Sequence, residues 1–340
     1  MNILFSGLGS VGQRHLQNMK AEYGNFSYFA YRTSNSNEVI KDVKLFTVKD
    51  ISKYYNIKVF SNINDIKEIS PDIAFITNPN ALHINTAIEF AKMGSHLFIE
   101  KPLDSSLDNF DELKSIVEKY NLITFMGYQT RFNPIYDKVK RYLKENKDKI
   151  ITANFIWNTY FPHHHNYEDY SKTHTAKSHL GGGVVLSLNH EMDIILDLFG
   201  MPYRLVSTGG KISNLDIEAE DTIMSILNYK VNGRNIPIFL NLSFAQTKEI
   251  RRIYMQFTDS TLEIDWMKNT LIIYDINGDV STKYNPKINR NDLFKAEVKY
   301  FVDCVKNGKH TFNDLMKGRD TLILTLKIKD AMLFDGWVKC

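Results

Sequence analysis

A glycine-rich turn near the N-terminus has the spacing of a dinucleotide-binding site. Three glycines follow a short apolar run and precede a helical pattern. The first would permit a tight turn, the second would let backbone approach a pyrophosphate, and the third would let the helix pack on the strand. The helix N-terminus would then direct amide donors at the phosphates. The predicted contacts are Gly7, Gly9, Ser10, Val11 and Gly12.

The end of the second predicted strand carries a basic residue where NAD-preferring sites usually carry an acidic residue. Such sites place Asp or Glu about 20 residues after the glycines, to hold the ribose 2′-hydroxyl. Here Arg32 and Thr33 stand in that place, and no carboxylate occurs before Glu38. Arginine can pair with a 2′-phosphate and stack on adenine, although a solvated loop arginine would look the same. The pattern favours NADP(H), with NAD(H) as the alternative.

Lys101 and His190 have side chains suited to the oxidation of an alcohol. Hydride transfer needs a base for the hydroxyl proton and a group that stabilises developing alkoxide charge. Lys101 follows a predicted strand, where its ammonium could reach a ligand at the sheet edge. His190 follows three glycines and titrates near neutrality. A surface lysine paired with Glu100, and a buried histidine bonded to backbone, are the structural alternatives.

The neighbours of His190 could orient its ring. Ser187 and Asp193 lie three residues before and after it in a predicted helix over residues 184–199, so both should share its face. Glu191 is a further carboxylate nearby. We predict that Ser187 and Asp193 belong to the substrate site.

A polar and aromatic segment before the three glycines is the other candidate for substrate contacts. Such residues suit a ligand rich in hydroxyl groups. Three consecutive histidines at 163–165 suggest a metal, but adjacent side chains point in different directions, whereas zinc needs converging ligands. No metal is therefore expected. The segment's candidates include Tyr167, and those we select for the substrate site are Tyr170, His174 and Lys177.

Alternating strand and helix patterns position the first group of residues. Short apolar runs without alternation, separated by helices, are typical of a parallel sheet covered on both faces. The predicted helices cover residues 11–20, 82–93 and 107–120. The predicted strands cover residues 3–6, 26–31, 59–60, 73–77, 96–99 and 123–126.

The second half of the chain has longer strand patterns. Asn-Gly pairs at 232–233 and 277–278 are typical of hairpin turns and predict an antiparallel sheet. The strands are predicted at residues 150–160, 203–207, 222–229, 237–245, 252–258 and 270–275. We predict an α/β protein with a dinucleotide-binding domain at 1–125 and a substrate-binding and oligomerisation domain at 126–340. Closing helices at 291–306 and 314–332 could pack back on the first domain.

Composition excludes several classes of protein. The chain has 340 residues with 42 Lys+Arg against 39 Asp+Glu, a net charge of +3, which gives no reason to expect nucleic-acid binding. Two cysteines cannot form a disulfide framework. The start does not resemble a signal peptide, and no apolar run approaches the roughly 20 residues of a membrane span. We expect a cytoplasmic protein, and the Asn-, Lys- and Ile-rich usage suggests an AT-rich bacterial genome.

Further motifs resemble the glucose–fructose oxidoreductase / inositol dehydrogenase (Gfo/Idh/MocA) family. They are the GxGxxGxxH start ending at His15, a Thr-Asn-Pro-Asn-x-x-His run, a Glu-Lys-Pro segment, and residues 127–134 and 181–193. The resemblance implies cofactor contacts by Thr77, Asn78, Pro79, Asn80, His83, Glu100 and Lys101. It also implies that Lys101 and His190 are catalytic residues.

The same resemblance implies an architecture and an activity. The expected fold is a Rossmann domain followed by an α/β domain with an open, mostly antiparallel sheet. The expected reaction is NAD(P)-dependent hydride transfer on a secondary alcohol or ketone of a sugar, cyclitol or sugar derivative. Family members form homo-oligomers that pack sheet faces together, so a homodimer or homotetramer is expected.

The chain departs from the family pattern beside His190. Many relatives carry Asp three or four residues earlier, where this chain has Leu186 and Ser187. A serine cannot stabilise an imidazolium as a carboxylate does, so either His190 has a lower pKa, or Asp193 or Glu191 takes over the role of the missing carboxylate. One branch of the family has a similar pattern, E-D-Y-x-x-S-Y-x-A-R, before the glycines. In this chain His174 stands in place of the second tyrosine and Lys177 in place of the arginine.

Two other functions are compatible with these motifs. One is a glycosidase or lyase that retains NAD and oxidises its substrate transiently. The other is a non-catalytic sensor that binds a dinucleotide, which would not need Lys101 and His190. Net turnover of the cofactor separates the first from an oxidoreductase.

Overall fold

The computed structural model describes residues 1–34, 36–41, 44–164 and 168–340. The chain forms two compact units. The first contains Met1–Gln129 and Asn291–Arg319, and the second contains Thr130–Arg290 and Asp320–Cys340. Each unit has its own large sheet and its own core.

The first unit contains a six-stranded sheet in which every pair of neighbours is parallel. Its order is β5-β2-β1-β6-β7-β8, which is the 3-2-1-4-5-6 order of a Rossmann fold. A small hairpin, β3–β4, was not predicted. The strands are β1 Asn2–Ser6, β2 Ser27–Tyr31, β3 Glu38–Lys41, β4 Lys44–Thr47, β5 Lys58–Phe60, β6 Ile73–Ile76, β7 His96–Glu100 and β8 Thr124–Gly127.

Four helices accompany these strands along the chain. Their bounds are α1 Ser10–Glu22, α2 Ile51–Tyr55, α3 His83–Lys92 and α4 Phe110–Lys119. The central strands β1 and β6 are buried on both faces, which explains their unbroken apolar runs. The parallel fold predicted for this part of the chain is confirmed.

The second unit is built on a nine-stranded sheet. Its order is β16-β15-β14-β13-β9-β12-β11-β10-β17, with β9 and β12 parallel and the other neighbours antiparallel. Asn232 and Gly233 have positive φ at the β11–β12 turn, as predicted for a hairpin. The strands are β9 Ile150–Tyr160, β10 Arg204–Gly210, β11 Thr222–Val231, β12 Arg234–Ser243, β13 Ala245–Phe257, β14 Ser260–Asp265, β15 Thr270–Asp275, β16 Val280–Tyr284 and β17 Val338–Lys339.

The helix predicted over residues 184–199 is wrong in one respect, because it is two helices. The second unit contains α5 Pro134–Asn146, α6 Val184–Ser187 and α7 His190–Phe199. Leu188 ends α6 and Asn189 begins α7. Helical spacing therefore does not relate Ser187 to His190, and the predicted shared face is lost for that pair.

Two long helices close the chain, as predicted. They are α8 Arg290–Lys306 and α9 Leu315–Ala331. Within the first unit, α8 buries Phe294, Val298 and Phe301 at helical spacing. None of the described helices combines the length and apolar composition that crossing a membrane requires.

Candidate functional site

The carboxyl ends of three parallel strands bring the predicted cofactor residues of the first unit together. Ser6 of β1 pairs with Ile76 of β6, and Ile76 pairs with Ile99 of β7. The chain therefore leaves the sheet at Gly7, Thr77 and Lys101 along one edge. Ligands of open parallel sheets bind beyond this edge.

A close contact between backbones fixes the first turn. Gly7 has φ of +91°, and a Cβ at this position would lie 3.0 Å from the Thr77 carbonyl oxygen. The Thr77 hydroxyl donates to the carbonyls of Ser6 and Gly7 at 3.0 and 2.9 Å. Thr77 therefore ties β6 to the turn, and only glycine suits position 7.

The other two glycines, Gly9 and Gly12, differ in the space around them. A Cβ on Gly12 would lie 2.5 Å from the Gly7 carbonyl oxygen, so Gly12 lets α1 pack against the turn. A Cβ on Gly9 would meet nothing within 4 Å. Gly9 is the N-cap of α1, and no side chain caps that end. Open space before an uncapped helix N-terminus, beside Ser10 and Val11, fits a dinucleotide pyrophosphate.

Arg32 lies directly after β2, in the place predicted for cofactor discrimination. Its backbone N–H donates to Phe60, and its guanidinium donates to the Ser36 carbonyl at 2.6 Å. Thr33 beside it is exposed. Gln13 of α1 supports the loop by donating to the Glu38 carbonyl at 2.9 Å. The loop thus presents a half-buried cation, which remains charged at neutral pH.

His83 connects the two motifs that follow β6 and β7. Its Nδ1 lies 2.8 Å from the Pro102 carbonyl oxygen and its Nε2 lies 2.8 Å from the Asn78 carbonyl oxygen. The side-chain amide of Asn78 donates to Thr86, while its buried Oδ1 has no hydrogen-bond partner in the part of the chain that the structure describes. His83 therefore organises the sheet edge, and the orphaned Asn78 oxygen is suited to accept a bond from a ligand. Pro79 and Asn80 lie between Asn78 and α3, and Asn80 is buried.

Lys101 follows β7 and precedes a cis peptide bond to Pro102. Its side chain is half-buried, and its backbone N–H donates to Glu100 Oε2 at 3.1 Å. The other oxygen of Glu100 lies 2.6 Å from His15 Nε2. Glu100 is thus engaged on both oxygens by protein groups, and we infer that it acts on the cofactor site through Lys101.

His190 is the first residue of α7 in the second unit, and it is buried. Its ring centroid lies 5.9 Å from that of Trp157. The Arg251 guanidinium stacks over Trp157 at 4.0 Å and makes two 2.8 Å hydrogen bonds to Glu191. Glu191 is therefore occupied by Arg251, which fixes the start of α7 against the sheet.

Asp193, the other carboxylate expected to orient His190, is also paired. Its oxygens accept from Arg131 at 2.7 and 2.8 Å, and both side chains are almost fully buried. Arg131 also pairs with Asp197 at 2.6 Å. Burial alone would lower the pKa of Arg131, but Asp193 holds it above its usual value. The contacts give Asp193 a structural role, because removing one partner of a buried pair leaves an uncompensated charge.

The remaining predicted substrate residues lie on short helical turns before α6. The Tyr170 hydroxyl accepts a hydrogen bond from the Asp216 backbone at 3.2 Å. Lys177 pairs with Glu218 at 2.9 Å, and that carboxylate raises its pKa. His174 is exposed, whereas Ser187 at the end of α6 is half-buried. His165 and Tyr167 lie outside the described residues.

Gly183, the last of the three glycines before α6, leaves room for an acidic side chain. Gly183 has φ of +103°, and a Cβ there would lie 2.3 Å from Glu220 Oε1. The Glu220 carbonyl accepts the Val184 N–H at 2.9 Å, and Lys329 lies 3.3 Å from its carboxylate. A carboxylate at a helix N-terminus is favourable. Glu220 thus holds the start of α6.

Sequence reasoning missed Glu297 and Arg251. Glu297 lies in the apolar stripe of α8, fully buried beside His15 and Glu100. A carboxylate at a core position of an amphipathic helix is the signal that could have identified it. Arg251 lies in β13 and carries no comparable signal, because its partners Glu191 and Trp157 are distant in sequence.

Residues 1–128 match a family model described as the oxidoreductase family with an NAD-binding Rossmann fold, GFO_IDH_MocA. The match includes the glycine turn, Thr77 and the Glu-Lys-Pro segment whose positions are given above. The resemblance to this family found in the sequence is therefore supported over residues 1–128.

Relatives include proteins named as inositol dehydrogenases. An uncharacterised oxidoreductase YrbE of Bacillus subtilis is 28% identical over 137 residues, 39% of this chain and 37% of the relative. A scyllo-inositol 2-dehydrogenase (NAD(+)) of the same organism is 24% identical over 70% of the chain and 68% of its own length. Myo-inositol 2-dehydrogenase of Thermotoga maritima is 21% identical, over 98% of the chain and 96% of the relative. Another relative from Bacillus subtilis carries the name scyllo-inositol 2-dehydrogenase (NADP(+)) IolU.

Solved structures share the whole fold. Levoglucosan dehydrogenase in complex with NADH and levoglucosan has a TM-score of 0.81 at 13% identity, covering 100% of this chain and 99% of that one. The WlbA dehydrogenase of Bordetella pertussis, in complex with NADH and UDP-GlcNAcA, has a TM-score of 0.79 at 16% identity, covering 99% and 98%. At these identities the likeness establishes the fold.

The glycine turn yields a paired prediction. Gly9→Val should stay folded, because its side chain enters open space at an extended backbone, but should lose dinucleotide binding if the pyrophosphate occupies that space. Gly12→Ala should instead lower the free energy of unfolding, because its Cβ would lie 2.5 Å from a carbonyl oxygen. Fluorescence titration and urea denaturation measure the two effects. Retained dinucleotide binding by Gly9→Val would mean that the turn is only structural.

Proposed function

We propose that the protein is an NAD(P)-dependent oxidoreductase acting on a secondary alcohol or ketone of a sugar, cyclitol or related polyhydroxylated molecule. The observation that carries the proposal is the sheet edge at which the uncapped α1 N-terminus, Asn78 and Lys101 meet. It joins a place for pyrophosphate to a cation suited to a substrate oxygen. The relatives named as inositol dehydrogenases support the substrate class.

Each catalytic candidate has one role in this proposal. When bound, the nicotinamide ring supplies the hydride acceptor or donor. Lys101 donates a hydrogen bond to the substrate oxygen and stabilises negative charge that develops on it. His190 accepts the hydroxyl proton during oxidation and returns it during reduction. With Asp193 and Glu191 paired to arginines, neither carboxylate is committed to His190.

We propose NADP(H) as the preferred cofactor. The support is Arg32, which stands after β2 with one guanidinium nitrogen on the Ser36 carbonyl. Its guanidinium has five donors, so that contact leaves donors for a 2′-phosphate. Thr33 offers a hydroxyl next to it.

The second unit supports a proposal of homo-oligomers. Five apolar side chains project from the outer face of β9–β12 and their neighbours: Ile156, Val206, Met224, Ile226 and Phe239. Met224 is 54% exposed and Phe239 38% exposed, although both lie in the middle of a sheet. An exposed apolar patch of this kind is typical of protein interfaces. We propose that two copies pack these faces together.

We also keep the cytoplasm as the proposed location. Cys304 and Cys340 are both free thiols, which suits a reducing compartment.

The first prediction concerns turnover. A panel of cyclitols, sugars and nucleotide sugars is assayed by NADPH absorbance. Lys101→Ala should lower turnover by roughly 10²-fold or more, the cost of losing an oxyanion donor. His190→Ala should lower it by roughly 10²–10⁴-fold and abolish the acidic limb of the rate profile, since protonated imidazole cannot accept a proton.

Matched controls are the exposed residues Lys92 and His179, whose alanine variants should turn over normally. Neither Lys101→Ala nor His190→Ala should change NADPH affinity by more than about twofold, because glycine-turn contacts hold the phosphates. Near-normal turnover by His190→Ala would place the base elsewhere. Turnover of substrate without accumulation of reduced or oxidised cofactor would support the retained-NAD alternative.

The second prediction concerns cofactor choice. Arg32→Gln should weaken NADPH binding about tenfold or more, the value of one charge-assisted hydrogen bond of about 1.5 kcal/mol, while NADH affinity stays unchanged. Fluorescence titration of both cofactors measures this. Lys53→Gln removes an exposed charge of α2 and is the control. An equal loss for both cofactors would show that Arg32 does not contact a 2′-phosphate.

The third prediction concerns assembly. Met224→Asp combined with Phe239→Asp should lower the sedimentation mass to that of one chain, because two buried carboxylates would oppose the packing of the faces. Ile276→Asp, at an exposed turn, is the control and should leave the mass unchanged. A wild-type chain that sediments as a monomer at micromolar concentration would contradict the proposal.

A further inference from the structure

The first unit contains a buried cluster of three ionisable side chains that the proposed reaction does not use. His15 of α1, Glu100 at the end of β7 and Glu297 of α8 present nitrogen and oxygen atoms within 4.8 Å of one another. Among the described residues they form the only such group with metal-ligating side chains. His15 and Glu297 are 0% exposed, so the cluster has no direct contact with solvent on those sides.

The surroundings of the cluster are mostly aromatic. The His15 ring lies 4.8 Å from Phe98, 5.6 Å from Phe75 and 5.8 Å from Phe294, measured between ring centroids. Arg14 is a cation that acts on the cluster, and its guanidinium lies over Phe294 at 4.6 Å. Two ionised carboxylates in such an environment would be costly, so a proton or a cation must compensate at least one of them.

The distances favour a proton over a metal ion. His15 Nε2 and Glu100 Oε1 are 2.6 Å apart, which is a direct hydrogen bond. Two ligands of one tetrahedral zinc ion, each about 2.0–2.1 Å from the metal, lie about 3.3 Å apart. The pair is therefore too close to share an ion.

The carboxyl group of Glu297 has no hydrogen-bond partner among the described residues, on either of its oxygens. Burial raises the pKa of Glu297 well above its usual range, the nearby Glu100 raises it further, and Arg14 opposes the change. A neutral carboxylic acid beside Glu100 avoids the repulsion between two anions.

The cluster is coupled to Lys101 through Glu100. One oxygen of Glu100 is bonded to His15, and the other accepts the Lys101 backbone N–H at 3.1 Å. We propose that His15 and Glu297 are positioning residues for Lys101: His15 fixes the orientation of the Glu100 carboxylate, and Glu297, as a neutral acid, leaves that orientation undisturbed. The role in turnover rests on the proposed function, but the coupling to the Lys101 backbone does not.

The first experiment measures the coupling without any substrate. Hydrogen exchange at the Lys101 amide, followed with ¹⁵N-lysine labelling, should be at least about tenfold faster in His15→Leu than in wild type. His15→Gln, whose amide keeps a donor near the position of Nε2, should restore most of the protection. Asn18→Leu is the control, because it removes another buried polar contact between α1 and α8, to Asn291. Equal exchange in His15→Leu and wild type would overturn the coupling.

The second experiment tests the neutral state of Glu297. Its pKa is raised in the folded chain, so the stability it contributes is fully present below the unfolded pKa of about 4.3 and is lost as pH rises through the folded pKa. Above pH 5 the wild-type unfolding constant should therefore rise with pH up to about tenfold per unit more steeply than that of Glu297→Gln. Urea denaturation from pH 5 to 8 measures the difference. Parallel pH dependence would contradict the neutral acid, as would a metal ion present in wild type and lost in Glu297→Gln.

The third experiment uses the substrate found in the panel. His15→Leu should lower kcat at least about tenfold while KM and the NADPH dissociation constant stay within about twofold, and His15→Gln should recover kcat. Glu297→Gln should keep wild-type kcat. If Lys101→Ala is fully active, the proposed function fails while the exchange result stands. If Lys101→Ala is inactive but His15→Leu is fully active, the positioning role fails. If His15→Leu does not fold, hydrogen exchange at the Lys101 amide and kcat are measured in His15→Gln and Glu297→Gln instead. Loss of protection at the Lys101 amide in Glu297→Gln overturns the proposal.

Discussion

The parallel register of β1, β6 and β7 is the constraint on which the first unit depends. It brings Gly7, Thr77 and Lys101 to one edge although about 70 and 24 residues separate them along the chain. Backbone hydrogen bonds between strands fix this arrangement, and side chains then refine it. Thr77 ties the glycine turn to β6, and His83 joins the backbones after β6 and β7. A shift of one residue in either register would separate the glycine turn from Lys101.

Buried carboxylates are handled in two different ways in the two units. In the second unit, Asp193 and Glu191 each receive an arginine, through bidentate contacts to Arg131 and Arg251. Such pairs offset the desolvation of both charges and fix α7, the helix that begins with His190. In the first unit Glu297 receives no such partner among the described residues, and a proton is the simpler compensation. The first solution gives a rigid helix, whereas the second makes stability depend on pH.

The match to the family model falls in the first unit alone. The family match ends at residue 128, inside the first unit, where the cofactor features lie. In the second unit the chain departs from the family pattern at Leu186 and Ser187, and the two carboxylates that could have substituted are paired with arginines. His190 itself lies at the start of α7, near Trp157. Differences in this unit are where the choice of substrate is expected to arise.

The sequence by itself determined the α/β class, the glycine turn, the strand ends at Thr77 and Lys101, and both Asn-Gly hairpins, because these follow from local patterns with a steric or hydrogen-bonding cause. It did not reveal the break at Leu188 and Asn189, since neither residue is a strong helix breaker. The pairing of Asp193 with Arg131, and of His15 and Glu297 with Glu100, was decided by tertiary structure alone. Each joins residues more than 60 positions apart, and a buried polar group finds its partner only when the elements carrying both have packed.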